Sequence, residues 1–446
     1  MLKGYEEYMD TGYDWIPQVP KTWEQRPIHS ITTLSNERNG KRKDLELLSV
    51  YREFGVIKKS SRDDNHNVES QDLSNYKYVN SGYLVMNKMK MWQGSLGISQ
   101  YEGIVSPAYI VCKVDQDIIG KYLHYLLRSS HFKIFYNRIS YGVRVGQWDL
   151  RYNDLKNLKI YLPTSDEQNQ IVRYLNAKVA KINRLISAKK KEIALLKEYK
   201  QAIITRAVTK GICAGVPMKE SGVEWIGEIP EGWEERKLKY LCSINTGDKD
   251  TINRNDDGLY PFYVRSPKIE HIDTYSFDGE AVLMAGDGVG AGKVFHYVSG
   301  KFDYHQRVYN LHYFKDVCGK YIYYYLKENF WRKIEEASAK STVDSVRLPM
   351  LLEFPVVFGQ IGEQQQIVSY LDAKCSAIDA TIQKRELAIE KLTAYNQSLI
   401  YECVTGKVDV RGIHVEEVPE AELIEEMDEE IVAEFDDETS EEENTE

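Results

Sequence analysis

The sequence predicts two tandem α/β (α+β) domains separated by two long helices, which form an antiparallel coiled coil with a pseudo-twofold, circular arrangement. Three observations lead to this prediction. A tryptophan-containing phrase occurs twice, a helical block occurs twice, and both helical blocks have a heptad pattern of apolar residues.

The two repeats define matched frames around dissimilar inserts. Residues 14–24, with Trp15 and Trp23, recur at 224–234 with an offset of 210. The block that begins at Glu167–Gln168 recurs at Glu363–Gln364 with an offset of 196. The material between the repeats, 24–160 and 234–355, shows little similarity and is 14 residues longer in the first half.

These repeats predict the order of segments along the chain. We expect a first globular domain at 14–163, a helical spacer at 164–210, a linker at 211–222, a second globular domain at 223–359, a second helical spacer at 360–406, and an acidic, disordered tail at 407–446. Strands are predicted at 82–86, 103–111, 281–284 and 307–313, and helices at 118–138 and 319–337.

The helical blocks carry apolar residues at the a and d positions of a heptad, which is typical of coiled coils. The predicted core residues are Val172, Leu175, Val179, Ile182, Ile186, Ile193, Leu196, Ile203, Val368, Leu371, Ile378, Ile382, Ile389, Leu392 and Leu399. The short linker favours antiparallel pairing of the two helices within one chain. The alternative is that each helix dimerises with another chain.

Composition indicates a globular protein with a charged appendage. Hydrophobic residues make up 42% and charged residues 28%, and the start of the chain lacks an apolar signal-peptide core. The six scattered cysteines are typical of reduced thiols in a cytoplasmic protein. Residues 416–446 contain 17 acidic and no basic residues, whereas the rest holds 58 basic and 51 acidic side chains. The tail is either a solvated extension or an anionic segment that competes with nucleic acid for a basic body.

Motifs for chemistry are missing. Residues Gly286–Lys293 resemble a phosphate-binding loop, but Asp287 replaces the first glycine and Val294 replaces the hydroxyl residue that follows the lysine. The histidines lack metal-ligand spacing, and neither a nucleophile elbow nor an amino-methyltransferase motif is present. We therefore expect no catalytic residues, no metal site and no bound cofactor on this chain.

The inserts instead contain basic, aromatic and amide residues in turn-rich segments. Lys and Arg neutralise phosphates, while Arg and Gln can read base edges. The candidate DNA-binding residues of the first insert are Lys41, Arg42, Lys43, Lys58, Lys59, Lys88, Lys90, Trp92, Gln93, Arg144 and Gln147. Those of the second are Arg254, Arg265, Lys268, Gly290, Lys293, His305, Gln306, Arg307, Lys340, Ser341, Thr342 and Arg347.

The frame segments resemble those of type I restriction–modification specificity subunits. The resemblance covers roughly 10–410 and rests on Gly222–Trp233, on 158–163 leading into Glu167–Gln168, and on Gly286–Lys293 with His305–Arg307. In the first copy Asp14 and Pro17 depart from the pattern, and the acidic tail lies outside it.

The resemblance implies two target recognition domains, each reading one half of a bipartite double-stranded DNA site. It also implies helices that set the gap and dock two methyltransferase subunits, which bind S-adenosylmethionine. Motor-nuclease subunits, which use ATP and Mg²⁺, would complete the complex in the prokaryotic cytoplasm.

The alternative from another class is a non-catalytic coiled-coil scaffold that presents two Tyr-rich domains, since the chain has 32 tyrosines, to proteins or glycans. A solitary methyltransferase or nuclease lacks its motifs.

Overall fold

The computed structural model describes residues 3–42, 44–52, 54–61, 72–144, 147–288, 290–338 and 345–419. Contacts divide the chain into two compact units. Among the described residues, unit 1 consists of 3–189 and 387–419, and unit 2 consists of 190–386. Each unit therefore combines one globular domain with a part of each long helix.

Unit 1 holds the first fourteen strands and three short helices. The strands are β1 (Tyr8–Tyr13), β2 (Ile16–Pro20), β3 (Glu24–Pro27), β4 (Thr32–Leu34), β5 (Leu48–Tyr51), β6 (Gly55–Lys58), β7 (Lys77–Val79), β8 (Leu84–Met86), β9 (Leu96–Ile98), β10 (Gly103–Val105), β11 (Ile110–Val114), β12 (Tyr141–Arg144), β13 (Gln147–Asp149) and β14 (Lys159–Leu162). The helices are α1 (Gly120–Arg128), α2 (Ser130–Ile139) and α3 (Tyr152–Leu155), and the long helix α4 (Ser165–Lys210) follows them.

Unit 2 repeats this series with fewer and longer strands. The strands are β15 (Met218–Glu220), β16 (Glu228–Pro230), β17 (Glu234–Lys237), β18 (Ser243–Thr246), β19 (Tyr260–Tyr263), β20 (Ile269–Ile272), β21 (Phe277–Ala285), β22 (Phe295–Tyr304), β23 (Val308–His312) and β24 (Pro355–Phe358). The helices are α5 (Gly319–Asn329), α6 (Trp331–Ser338), α7 (Leu348–Leu352) and the second long helix, α8 (Ile361–Val404).

The central sheets of the two units have the same strand order. Unit 1 has β4-β11-β8-β9, and unit 2 has β18-β23-β21-β22 followed by β19 and β20. The two helices after the last of these strands, α1–α2 and α5–α6, carry apolar faces that pack into the core of their unit. Two inserts with little sequence similarity thus share the order of four central strands.

Three predicted elements differ from the structure, and one of them is the helix predicted at 319–337, which is divided into α5 and α6 at Phe330. The single strand predicted at 103–111 is two strands, because residues 106–109 form a turn in which the Tyr109 amide donates to the Ser106 carbonyl. The helix predicted at 118–138 is interrupted at Ser129, whose extended backbone ends α1 and whose amide donates to Leu126 O.

The repeated frames coincide in register. Tyr8 pairs with Pro20 as Met218 pairs with Pro230, and Lys159 pairs with Pro27 as Pro355 pairs with Lys237. All of these pairs follow the offsets of 210 and 196 read from the sequence.

The repeated Trp, Glu and Gln residues lock each frame to its long helix. Trp23 Nε1 donates to Glu167 Oε1 at 3.1 Å, and Trp233 Nε1 donates to Glu363 Oε2 at 2.9 Å. Gln168 accepts from the Ile119 amide at 2.9 Å and donates to Pro163 O, and Gln364 makes the equivalent bonds to Cys318 and Gly359. Satisfied buried polar groups of this kind fix how a helix leaves a sheet.

Within each unit the two long helices run side by side in antiparallel fashion. In unit 1 the Asn396 amide contacts Asn183 Oδ1 at 3.4 Å. In unit 2 Lys200 Nζ lies 2.6 Å from Asp379 Oδ1, and Arg385 Nε lies 2.6 Å from Glu192 Oε2. Along this pair of helices in unit 2, a higher residue number in α4 is matched by a lower residue number in α8, as antiparallel pairing requires.

The predicted heptad core residues are all at least half-buried. Val172, Leu175, Ile182, Leu371, Ile378, Ile382 and Leu399 are buried. Val179, Ile186, Ile193, Leu196, Ile203, Val368, Ile389 and Leu392 are half-buried. The heptad pattern did not include Ile171, Val208 and Ile367 among the core residues. These side chains are fully buried because the helix ends also pack on the globular cores.

The segment assigned to the tail begins with an ordered stretch. Val408 and Val410 are buried in the core of unit 1, and the Asp409 amide donates to Lys3 O at 2.9 Å. Gln170 Nε2 donates to Val410 O and Ile413 O. The boundary at 407 therefore moves to about residue 415, and residues 420–446 lie outside the described part of the chain.

In the described ranges, no helix combines the length and the apolar character needed to cross a bilayer.

Candidate nucleic-acid interface

Three connecting segments meet at one end of the central sheet in each unit. Loop A joins the two hairpin strands (87–95 in unit 1, 286–294 in unit 2). Loop B leads into the neighbouring strand (106–109 and 305–307). Segment C precedes the short helix α3 or α7, and its described residues are 141–144 and 147–151 in unit 1 and 345–347 in unit 2. Loops A and B meet because the strand before loop A and the strand after loop B are antiparallel neighbours.

In unit 2, Gly286 links the three segments by main-chain hydrogen bonds. Its amide donates to Arg307 O of loop B at 2.8 Å, and its carbonyl accepts from the Val346 amide of segment C at 2.8 Å. A Cβ on Gly286 would lie 2.8 Å from Arg307 O, so the close approach of the two loops requires glycine here.

An acidic side chain organises two arginines in this cluster. Arg265 Nη1 donates to Asp287 Oδ1 at 3.2 Å, and Arg307 Nε lies 3.6 Å from Asp287 Oδ2. Arg265, Lys293, Arg307 and Arg347 are exposed, whereas Asp287 is half-buried. The outward-facing charge of this cluster is therefore positive.

Loop A of unit 2 differs in its surroundings from a phosphate-binding loop. Loop A connects two strands, while a phosphate-binding loop of that type precedes a helix. The Gly292 and Val294 amides already donate to Ala285 O and Gly290 O, and Asp287 would repel a phosphate. Gly290 serves packing instead, since a Cβ there would lie 2.4 Å from Arg265 O.

The Asp250 side chain contacts two residues of loop B in unit 2. Gln306 Nε2 donates to Asp250 Oδ2 at 2.7 Å, and His305 Nε2 lies 3.8 Å from the same oxygen. Burial lowers the pKa of His305, and nearby Arg265 lowers it further. His305 is therefore a buried support of the loop, whereas Gln306 is exposed beside Arg307.

In unit 1 the same segments meet through different side chains. The Leu150 amide of segment C donates to Lys88 O of loop A at 2.9 Å, as Val346 does to Gly286. Lys88 Nζ lies 3.6 Å from Asp149 Oδ2, and the rings of Trp92 and Trp148 pack edge to face at 4.9 Å. Lys90 is exposed, and Gln93 is half-buried.

Several predicted DNA-binding residues lie in other side-chain clusters. Arg42 pairs with Glu37 and stacks on Tyr78, and Lys58 lies 3.8 Å from Glu46 and next to Lys59. Arg254 and Lys268 lie 3.9 and 3.0 Å from Glu270. Lys41 is exposed beside Arg42. None of these contacts joins loop A, loop B or segment C.

Other predicted residues cannot be placed. Lys43, Lys340, Ser341 and Thr342 lie outside the described residues. Arg144 and Gln147 lie on the described backbone of segment C, but their side chains are outside the described part.

The sequence reasoning missed Arg151. It directly follows Leu150, as Arg347 follows Val346, and both arginines precede a short helix. The signal was present in the sequence, because 151 and 347 differ by 196, the offset of the helical repeat.

In the portion of the chain that the structure describes, no group of three or more His, Cys, Asp or Glu side chains is arranged to hold a metal ion.

Comparisons with known proteins match this architecture. The description "Type I restriction modification DNA specificity domain" fits residues 20–195 and 230–391, which together are more than half of the chain. The EcoDI specificity subunit of Escherichia coli, a type I restriction enzyme, is 27% identical over 182 residues, or 41% of this chain and 40% of that protein. The MjaVIII specificity subunit of Methanocaldococcus jannaschii is 23% identical over 356 residues, or 73% of this chain and 79% of that protein.

A solved structure agrees in fold. A chain from a study of complex assembly and conformational transition of the type I R-M system superposes with a TM-score of 0.61 at 16% identity, and the match covers 87% of this chain and 99% of that chain. Since the family description matches twice, once on each frame, the chain belongs to the family of type I restriction–modification specificity subunits and carries two DNA specificity domains in tandem.

Proposed function

We propose that this chain gives a type I restriction–modification complex its DNA sequence specificity, with unit 1 reading one half of a bipartite duplex site and unit 2 reading the other. The observation that carries the proposal is the pair of loop clusters. In each cluster a segment C amide, that of Leu150 or Val346, donates to a loop A carbonyl, and the frames have identical register, but the side chains of the clusters differ.

The chemistry of the clusters fits duplex DNA. In unit 2, exposed Arg265 and Arg307 flank the half-buried Asp287 carboxylate, and the exposed side chains of Lys293 in loop A and Gln306 in loop B add an ammonium group and an amide. Arg and Lys contact phosphates or the N7 and O6 edge of guanine, and Gln contacts the N6 and N7 edge of adenine in the major groove. The ion pairs to Asp287 hold the guanidinium groups in place before DNA arrives, which reduces the entropy lost on binding.

We further propose that the chain is not itself an enzyme and holds no cofactor. Methyltransferase subunits docked on α4 and α8 would bring S-adenosylmethionine, and motor-nuclease subunits would bring ATP and Mg²⁺. We propose the prokaryotic cytoplasm as the location of the complex, because the DNA that it would act on lies there.

The tyrosines do not support the competing scaffold function. The largest fully buried side chains include Tyr122, Tyr136, Tyr321 and Tyr325. Tyr122 Oη donates to Val404 O and Tyr321 Oη to Val208 O, so these side chains join the sheet domain to a helix end. Many of the tyrosines therefore belong to the core and offer no binding surface for a protein or glycan.

The test is methylome sequencing of cells with and without the gene, followed by binding assays with the assembled complex. We expect a bipartite methylated motif that disappears with the gene. A duplex bearing both half-sites should bind more tightly than duplexes in which either half is scrambled. Equal affinity for all three duplexes would contradict the proposal.

A further inference from the structure

The two loop clusters differ in most side chains but share one charged position. In unit 1 it is Arg151, the residue before α3, and in unit 2 it is Arg347, the residue before α7. Their backbone angles are nearly identical, with φ −92° and ψ 143° for Arg151 and φ −94° and ψ 142° for Arg347. Both side chains are exposed.

Each arginine is fixed to loop A through the preceding residue. The amides of Leu150 and Val346 donate to Lys88 O and Gly286 O at 2.9 and 2.8 Å, and both side chains are buried. Each arginine therefore leaves the frame at the same point, next to the loop that carries the variable side chains.

Local stability does not account for an arginine at this position. The residue before a helix is favoured as Ser, Thr, Asp or Asn, whose oxygen can accept a backbone hydrogen bond. Arginine has no acceptor, and a positive charge near a helix N-terminus is electrostatically unfavourable. Neither arginine makes a side-chain cap.

Both arginines keep their charge directed to solvent. Over the described ranges, no carboxylate lies within 4.0 Å of either guanidinium, in contrast to Arg265 and Arg307, which share Asp287. The Arg151 guanidinium instead lies 4.9 Å from the centroid of the Tyr141 ring, and Tyr141 Oη donates to Asp154 Oδ2. A cation–π contact orients the group without neutralising it.

We infer that Arg151 and Arg347 are the matched phosphate-contacting residues of the two units, and that they position the DNA backbone while loops A and B read the bases. The inference rests on the proposed function. Two half-sites of different sequence share only their sugar-phosphate backbone, so a side chain placed identically in both units matches the feature that both half-sites have. Phosphate contacts set the register of a protein on the duplex, and base contacts set its specificity.

The test compares Arg151→Ala, Arg347→Ala and the double variant with wild type in the assembled complex. The affinity for the cognate duplex is measured from 50 to 200 mM salt. One phosphate contact contributes about 0.9 to the slope of log affinity against log salt. Between 50 and 200 mM salt, the factor by which affinity falls should therefore be about 3.5 times smaller for each single variant than for wild type. For the double variant it should be about 12 times smaller. The methylated motif should be unchanged.

Two controls make the result specific. Arg236→Ala removes an arginine on β17 of unit 2 that is paired with Glu234 and Asp316, and it should leave the salt slope unchanged. Arg307→Ala alters loop B, and it should relax the motif in the half-site read by unit 2. Thermal melting checks that each variant is folded.

The outcomes separate this inference from the proposed function. Suppose that wild type binds the bipartite duplex specifically. The inference is then wrong if the Arg151 and Arg347 variants retain the wild-type salt slope, or if they change the bases of the methylated motif. In either case the proposed function stands. If wild type itself has no preference for the bipartite duplex, the proposed function fails first.

Discussion

The two units have the same sheet order but differ in how their inserts extend the sheet. In unit 2, β21 and β22 are 9 and 10 residues long, and β22 pairs with β19 to extend the sheet to six strands. In unit 1, the equivalent β8 and β9 have 3 residues each. The pairs β5–β6 and β7–β10 form separate two-stranded sheets, which share an apolar cluster with β8 and β11 of the central sheet. The strand register of the frames is nevertheless the same in both units.

This comparison separates what is fixed in the molecule from what is variable. The hydrogen bonds of Trp23 and Trp233, and those of Gln168 and Gln364, are the same in both units. Tyr125 Oη donates to Asn176 as Tyr324 Oη donates to Asp372. The frame thus presents a constant base on which loops of different sequence are carried, which is the arrangement expected where specificity changes and assembly does not.

The largest effect should come from exchanging one insert. Replacing residues 24–160 with the insert of another specificity subunit should change one half of the methylated motif completely, because the frame contacts that hold the insert recur in both units. The other half-site should be preserved. Methylome sequencing measures both halves at once, and a simultaneous change of both would show that the units do not read DNA independently.

A large effect on stability should follow from Trp233→Ala. Trp233 is 2% exposed, and removing a buried aromatic side chain costs about 3–5 kcal/mol in free energy of unfolding. It also leaves Glu363 without its indole donor. Hydrogen-exchange mass spectrometry should show lost protection throughout unit 2.

The matched variant is Trp23→Ala, which should instead reduce protection in unit 1. Trp233→Phe keeps most of the packing and removes only the N–H donor, so it should cost less than the alanine variant. Loss of protection in both units from either single substitution would mean that they unfold as one cooperative body.

The frame could be predicted from the sequence, and most of the reading surface could not. Trp23, Glu167 and their repeats were visible because two copies of a phrase at a fixed offset reveal paired contacts. Loop residues have no such second copy, so Arg42 or Lys268, which pair with local carboxylates, looked the same in the sequence as Arg265 or Arg307. Arg151 is an exception among the loop residues, since the 196-residue offset aligns it with Arg347.

A smaller change is expected from lengthening the helices. Lys189 and Arg385 are equivalent by the 196-residue offset, and four residues inserted after each would add about 6 Å per helix, or slightly less than two base-pair steps of about 3.4 Å. If the helices set the gap, the unspecified gap of the methylated motif should lengthen by one or two base pairs with both half-sites unchanged.

The control for helix length is a four-residue insertion within the exposed stretch 212–216, which follows the end of α4. It should leave the gap unaltered. An unaltered gap after the helix insertions, in a complex that still methylates DNA, would contradict the idea that the helices act as a ruler.

The smallest effect concerns a carboxyl group that unit 2 has and unit 1 lacks. Glu328 lies seven residues after Tyr321 and lines an open groove of about 560 Å³ between α4 and the α5–α6 turn. The equivalent position in unit 1, seven residues after Tyr122, is Ser129. Burial raises the pKa of Glu328, although Lys327 and Lys200 oppose the shift.

A carboxyl whose pKa is raised on folding destabilises the folded protein when it is ionised, that is, at pH values above its folded pKa. Below the pKa of the unfolded chain both states are protonated, and the penalty disappears. Glu328→Gln should therefore be more stable than wild type at pH 8, on the order of 0.5–1 kcal/mol, and the difference should shrink as the pH falls towards 4. Urea unfolding, followed by hydrogen exchange in unit 2 peptides, measures this difference. Ser129→Ala should differ from wild type by the same amount at both pH values, and a Glu328→Gln difference that grows on acidification would reverse the assigned direction of the shift.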